Sequence, residues 1–213
     1  MHISKVGIIG GASELGRAFA RALARAGLGS VSSGQRQDCR SNLATDLCEE
    51  RAAITIQEAA DEEIVFLAIT WAEIPETLSL ISDWEGRILI DATDPVLPNN
   101  QPVDLGWRTS SEVVCELAPG AQLVKAFNTL SPRLISADAQ QFGGRRVVFF
   151  SGDHVRAKRE VARLIGYLGF AGIDLGRLAE GGRLQQFPDG PVRGLNLLKL
   201  DEEHWMRSWG YCE

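Results

Sequence analysis

The sequence predicts an α/β fold, a doubly wound and mostly parallel sheet with a small C-terminal α/β extension, and three observations carry that prediction. Short apolar runs alternate with amphipathic stretches along most of the chain. Strands followed by crossover helices leave this trace. A glycine-rich turn, GGASELG, joins the first apolar run to the first amphipathic stretch. The composition, 45% hydrophobic and 23% charged over 213 residues, suits one ordinary globular domain with room for a small appended lobe.

Taken in order, Val6 to Ile9 read as a buried strand, and the glycine turn follows at once. Leu15, Phe19, Ala22, Leu23 and Ala26 then recur at helical spacing, with Arg17, Arg21 and Arg25 on the opposite face and Gly27 as a stop. A short strand is predicted near 30–33, a helix around 42–50, a strand near 53–55 and a central strand over 64–69. A helix near 74–81 leads to a strand over 87–91, and a helix over 110–117 precedes a strand over 122–126. After Asn128 the pattern gives a loop, a strand over 146–150, a helix over 153–168, a strand over 170–174 and a closing helical segment. The expected division is 1–128 for the first unit and 129–213 for the small lobe, the two continuous through one sheet, because no repeat or low-complexity tract separates them. Thr93 to Trp107, with three prolines and two asparagines, is the expected long loop.

Charge, hydropathy and motif content exclude several function classes. A net charge of -6 argues against a nucleic-acid partner, because phosphate backbones are bound by basic faces. The longest apolar run is the six residues Ile64 to Ile69, far too short for a membrane span. The N-terminus passes straight into a strand without the apolar stretch and small-residue site of a signal peptide, so a cytoplasmic location is expected. Cys39, Cys48, Cys115 and Cys212 form no C-x-x-C pair and no His/Cys cluster, so neither a metal site nor a disulfide framework is expected. His2, His154 and His204 are scattered and show no acid/base pattern.

The turn reads as Gly11-Ala12-Ser13-Glu14-Leu15-Gly16, a G-x-G-x-x-G with serine in the second glycine position. Such a turn must be tight, must let the backbone approach a pyrophosphate, and must aim helix amides at that negative group. Here it follows a strand and opens a helix, the context that makes a Rossmann dinucleotide site of it. Cofactor choice is made beyond the second strand, where enzymes using NAD carry an acid for the ribose 2′-hydroxyl. This chain offers Ser33-Gly34-Gln35-Arg36 and no acid before Asp38. Arg36 suits a 2′-phosphate as a planar fork, with Ser33 or Gln35 as neutral donors, so NADP(H) is the expected cofactor. A short-chain dehydrogenase is set aside: Ile9 and Glu14 break that family's turn, and neither Tyr167 nor Tyr211 starts a Tyr-x-x-x-Lys pair.

Ligands on open parallel sheets bind beyond the carboxyl ends of the strands. Three segments fall there: Thr70-Trp71, Asp91 to Pro95, and Lys125 to Thr129. Thr70 and Thr93 are candidates for the cofactor's ribose or amide, and Asn128 carries both a donor and an acceptor suited to a carboxamide. Lys125 follows a buried-looking strand, where a cation is costly unless paired or facing a ligand. Two roles stay open for it: pairing with Asp91 or Asp94, or meeting a cofactor phosphate or an anionic substrate. Trp71, Phe127 and Trp107 are candidates to line an acceptor cavity.

In sequence order, GIIGGASELGRAFARALARAG, LAITW, ILIDATDP, LVKAFNTLSP, GRRVVFFSGD and IDLGRLAEGGRLQ resemble the NADP oxidoreductases dependent on coenzyme F420, and similar segments occur in the reductase domain of the STEAP metalloreductases. The resemblance implies NADPH held across the sheet edge and hydride passed to a flavin-like or deazaflavin ring stacked over the nicotinamide. It also implies a homodimer formed through the C-terminal lobe. It matches Gly11, Ser13 and Gly16 to the pyrophosphate turn, Gln35 and Arg36 to the 2′-phosphate segment, and Thr70, Thr93 and Asn128 to the nicotinamide end. The chain departs from the family's pattern at Ser13, at Glu14 and at Asp94, where glycine, asparagine and asparagine are usual. Transfer between two bound rings needs no side-chain acid or base, so no catalytic residue is expected. The alternative is a sensor or interaction protein that binds NADP(H) without chemistry. An imine or β-hydroxyacid reductase fits less well, because the chain returns to strands where those families continue in helices.

Overall fold

The computed structural model describes residues 3–33 and 55–201. Next to one edge of its sheet β1 (Lys5–Ile9) lies between two parallel neighbours, β2 (Gly29–Ser33) and β3 (Ile64–Leu67). β4 (Ile88–Asp91) and β5 (Gln122–Ala126) extend the sheet in the same sense, in the order β2-β1-β3-β4-β5. The direction then reverses, as β7 (Gly144–Gly152) pairs antiparallel with β5. Three more strands attach to β7: β6 (Gln140–Gln141), β8 (Ala171–Asp174) and β9 (Leu198–Leu200).

Both faces of the parallel strands are covered, and the strand period decides which residue goes where. Ile64 and Phe66 of β3 face one core with α1 (Glu14–Arg25), α5 (Pro132–Ser136) and α6 (Val155–Tyr167). Val65 and Leu67 face the other, with α2 (Ile56–Ala60), α3 (Ile74–Ser79) and α4 (Ser110–Leu117). In the first core the Phe19 ring stacks on Phe66 at 3.7 Å, and Phe127 meets both edge-on. Such pairs add roughly 0.5–1.5 kcal/mol to simple burial. Phe127 adopts a positive φ of 67°, which turns the chain sharply at the end of β5 while its ring stays in the core.

Most of the predicted elements are present, and the differences have local causes. The helix expected around 42–50 lies outside the described residues, as do the first two residues of the strand expected near 53–55. Thr55 begins a helix instead: its hydroxyl accepts from the Glu58 amide at 3.1 Å and Glu58 returns to the Thr55 amide at 2.7 Å. This capping box outweighs the β-branched run before it. α5 forms where a loop was expected, because Pro132 presets the first helical turn. The closing helical segment is a wide five-residue turn, Leu178–Gly182, followed by one tight turn, α7 (Arg183–Gln185), and an extended run into β9. Thr93 to Trp107 is a loop apart from one bridge between Val96 and Pro102.

Candidate functional site

The site is built around the turn from β1 into α1. Gly10 has φ +91°, and a Cβ there would lie 2.3 Å from the Ala68 carbonyl oxygen. Gly16 packs still closer, since its Cβ would fall 2.2 Å from the Gly10 carbonyl oxygen. Helix and strand therefore approach to a distance that only glycine allows. Ser13 is the N-cap: its hydroxyl donates to the Gly10 carbonyl at 2.8 Å and accepts from the Gly16 amide at 2.9 Å. Serine in the second glycine position thus works inside the turn. The Gly11 amide is bound to the Ser33 carbonyl at 3.0 Å, and the Ser13 amide to that of Gly10 at 3.0 Å. The amides of Ala12, Glu14 and Leu15 have no acceptor among the described residues. Three open donors at the positive end of a twelve-residue helix fit a pyrophosphate.

Beside this turn, Ser33 is buried, and its hydroxyl donates to the Ile8 carbonyl at 3.4 Å. This bond ties β2 to β1; Gln35 and Arg36 lie outside the described residues. Thr70, after β3, is exposed, and its hydroxyl donates to Glu73 Oε2 at 2.6 Å, which fixes the short turn Trp71–Glu73. Trp71 is half-buried against the second core.

After β4 and β5 the structure assembles a fully buried polar cluster. Lys125 Nζ lies 3.2 Å from Asp91 Oδ2 and donates to the Thr93 carbonyl at 3.0 Å; both members of the pair are 0% exposed. Asp91 also accepts from the Ser111 hydroxyl at 2.5 Å, and from the Thr93 amide and hydroxyl at 2.9 and 2.6 Å. Burial alone would raise the Asp91 carboxyl, but the Lys125 charge and the Ser111 and Thr93 hydrogen bonds outweigh it and hold the carboxyl below its ordinary range. Of the two roles open to Lys125, the structure shows the pairing with Asp91. Enclosed in this way, Lys125 offers no surface to a phosphate, and the Thr93 hydroxyl proton is committed to Asp91. The cluster fixes the path of the 91–94 segment beneath the site.

Asp94 and Asn128 meet above it. Asn128 Nδ2 donates to Asp94 Oδ1 at 3.1 Å and to the Gln185 carbonyl at 2.8 Å, while its Oδ1 is buried without a partner among the described residues. The carboxylate of Asp94 is matched by Arg193, which pairs with its Oδ2 and lies over the Phe187 ring at 4.4 Å. Asn128 and Arg193 together tie the segment after the wide turn to the edge of the sheet. Sequence reasoning missed Arg193 and Gln185, because 99 and 57 positions separate them from their partners and neither carries a motif. An open cleft of about 660 Å3 lies next to Phe187, lined by Leu105, Arg183, Phe187 and Pro188 among others. Of the aromatics expected to line an acceptor cavity, Phe127 is in the core, Trp71 is half-buried and Trp107 is largely exposed, so the three do not form one floor.

Cys115 is a free, half-buried thiol that burial and the nearby carboxylates of Asp153, Glu116 and Glu112 push up. Cys39, Cys48 and Cys212 lie outside the described residues. Among the described residues no three His, Cys, Asp or Glu side chains converge to hold a metal ion, and no helix is long and apolar enough to cross a membrane.

Comparison with known proteins places this geometry. Residues 5–95 match the family described as NADP oxidoreductase, coenzyme F420-dependent. Metalloreductase STEAP3 of Rattus norvegicus is 31% identical over 187 residues, which are 86% of this chain and 36% of that protein. The chain therefore spans about a third of the length of that curated relative. A solved structure of a hypothetical protein from Sinorhizobium meliloti superposes with a TM-score of 0.75 at 33% identity, covering 93% of this chain and 96% of that one. A protein from Arthrobacter sp. FB24 named as an F420-dependent NADP-reductase superposes with a TM-score of 0.61 at 25% identity, covering 98% and 94%. Residues 5–95 thus resemble the coenzyme F420-dependent NADP oxidoreductases, and the likeness of fold to the Arthrobacter protein runs on through the C-terminal lobe.

Proposed function

We propose that the protein is an NADPH-dependent reductase that passes hydride to a flavin-like or deazaflavin acceptor. The observation that carries this reading is the turn at residues 10–16, where Ser13 and the close-packed glycines leave the Ala12, Glu14 and Leu15 amides open at the carboxyl edge of a parallel sheet. The family match and the reductase names of the relatives support it.

In this reading the three open amides bind the pyrophosphate, and Arg36 with Gln35 meets the 2′-phosphate. The segments at Thr70 and Thr93 and the Asn128 amide border the nicotinamide end. NADPH bound there supplies hydride, leaving NADP+ as the acceptor gains two electrons and a proton. The chain's part is orientation and exclusion of water, and the Asp91–Lys125 cluster keeps the 91–94 segment rigid for that purpose. A cytoplasmic homodimer remains part of the proposal, on the family resemblance.

Calorimetry with NADPH and NADH, followed by stopped-flow oxidation of NADPH with F420, FMN and FAD, tests it. NADPH is expected to bind at least about tenfold more tightly than NADH, a difference of about 1.4 kcal/mol, and at least one acceptor is expected to turn over. Arg36→Ala is expected to remove the preference between the two dinucleotides. Tight NADPH binding with no turnover of any acceptor would instead indicate a protein that holds the dinucleotide without chemistry.

A further inference from the structure

The face of α1 that meets α5 carries arginines at helical spacing, Arg17, Arg21 and Arg25, and they differ in what holds them. Arg25 is fully used: Nη1 donates to the Ser136 carbonyl at 2.6 Å, and Nη2 to those of Ile135 and Ala137, both at 3.1 Å. It closes the open carbonyl end of α5. Arg17 reaches the Ala12 carbonyl of the glycine turn. The guanidinium groups of Arg21 and of Arg133, on α5, have no hydrogen-bond or ion-pair partner among the described residues.

Arg17, Arg21 and Arg133, with Glu14, Pro132 and Ser136, line an open groove of about 530 Å3 between the two helices. Three cations face one carboxylate there, in a chain whose net charge is -6. Like charges around one groove repel, and an oxyanion relieves them while accepting paired N–H bonds from guanidinium forks. The carboxylate of Glu14 lines the same groove.

We propose that this groove is an anion-binding site, separate from the pyrophosphate turn, that takes a phosphate or carboxylate arm of the electron acceptor. The Arg17 bond to Ala12 sets the groove at the rim of the turn. The loop from Asn128 runs directly to Arg133, a stretch of five residues that spans at most roughly 17 Å. A ring seated at the nicotinamide end therefore has an arm's reach to the arginines. The identity of the occupant rests on the proposed function; the anion site does not.

The test uses inorganic pyrophosphate titrated calorimetrically into the full chain saturated with NADP+, and FMN compared with riboflavin, which lacks the phosphate. Pyrophosphate is expected to bind with NADP+ present and to bind about tenfold more weakly to the Arg21→Ala/Arg133→Ala variant, a loss of about 1.4 kcal/mol. NADP+ affinity is expected to change by less than about twofold, since neither arginine touches the turn. FMN is expected to bind about tenfold better than riboflavin in the unaltered protein and to lose that advantage in the variant. Pyrophosphate binding that NADP+ abolishes, or that the variant leaves unchanged, overturns the site. Pyrophosphate binding without a preference for FMN assigns the groove to a free ion and overturns the acceptor's arm. If the unaltered protein fails to bind NADP+, the function reading falls, and the variant comparison made without NADP+ still decides the groove.

Discussion

Lys125 shows how a single residue's surroundings decide between readings that its sequence position leaves open. A lysine after an apolar strand is compatible with a phosphate ligand or with a buried partner, and the two differ only in what lies across the sheet. Asp91, directly in register on β4, supplies the partner. Removing one member of such a pair strands the other charge in the interior, at a cost of about 3–5 kcal/mol. Lys125→Met is therefore expected to lower stability by that amount in urea unfolding at neutral pH, and a second change, Asp91→Leu, to recover much of it. The pH dependence follows from the depressed Asp91 carboxyl. Its contribution is complete above the carboxyl's unfolded value and is lost as pH falls through the folded one, so it belongs to the acid limb. In Lys125→Met burial is no longer outweighed by the lysine's charge, so that acid loss is expected to shrink or reverse, the cost of the substitution falling as Asp91 takes up a proton, which unfolding curves taken from neutral to acid pH would show. An acid limb identical to that of the unaltered protein would contradict the assignment.

At the scale of elements, the turn between β1 and α1 tests whether close packing or chemistry explains its glycines. Gly16→Ala would place a methyl group 2.2 Å from the Gly10 carbonyl oxygen, against backbone that has little room to move. We expect a loss of roughly 1–3 kcal/mol, as in other overpacked interiors, measured by thermal unfolding without ligand. A fall in NADPH affinity should accompany it, because the three open amides sit on the displaced segment. The elements themselves were largely legible: the period-2 and period-3.6 patterns locate β1, α1, β3, β4, α4 and β5 to within a few residues. What escaped has a physical reason in each case. α5 is too short for periodicity to register, and α2 hides its capping box behind β-branched residues. Motif spacing found the glycine turn, Thr93 and Asn128, but it could not say that the Thr93 hydroxyl serves Asp91 or that Arg193 answers Asp94. Those contacts join residues with no common pattern, and only the folded chain brings them together.

Across the whole molecule, β7 is the strand on which the C-terminal third depends, since β5, β6, β8 and β9 all bond to it. The same strand seals the edge of β5, whose Val124, Lys125 and Ala126 pair with Gly152, Ser151 and Phe150. A fragment ending at Asn128 would expose that ladder together with buried apolar residues of the first core, and open edges of this kind pair with other chains. Such a fragment is expected to be recovered as large assemblies in sedimentation, while the full chain stays dispersed; a well-behaved monomeric fragment would refute this. When a gene segment coding for this unit is joined to a longer reading frame, a breakpoint after the glycine turn and its parallel strands alone would carry an unfinished sheet, with the β5 edge open.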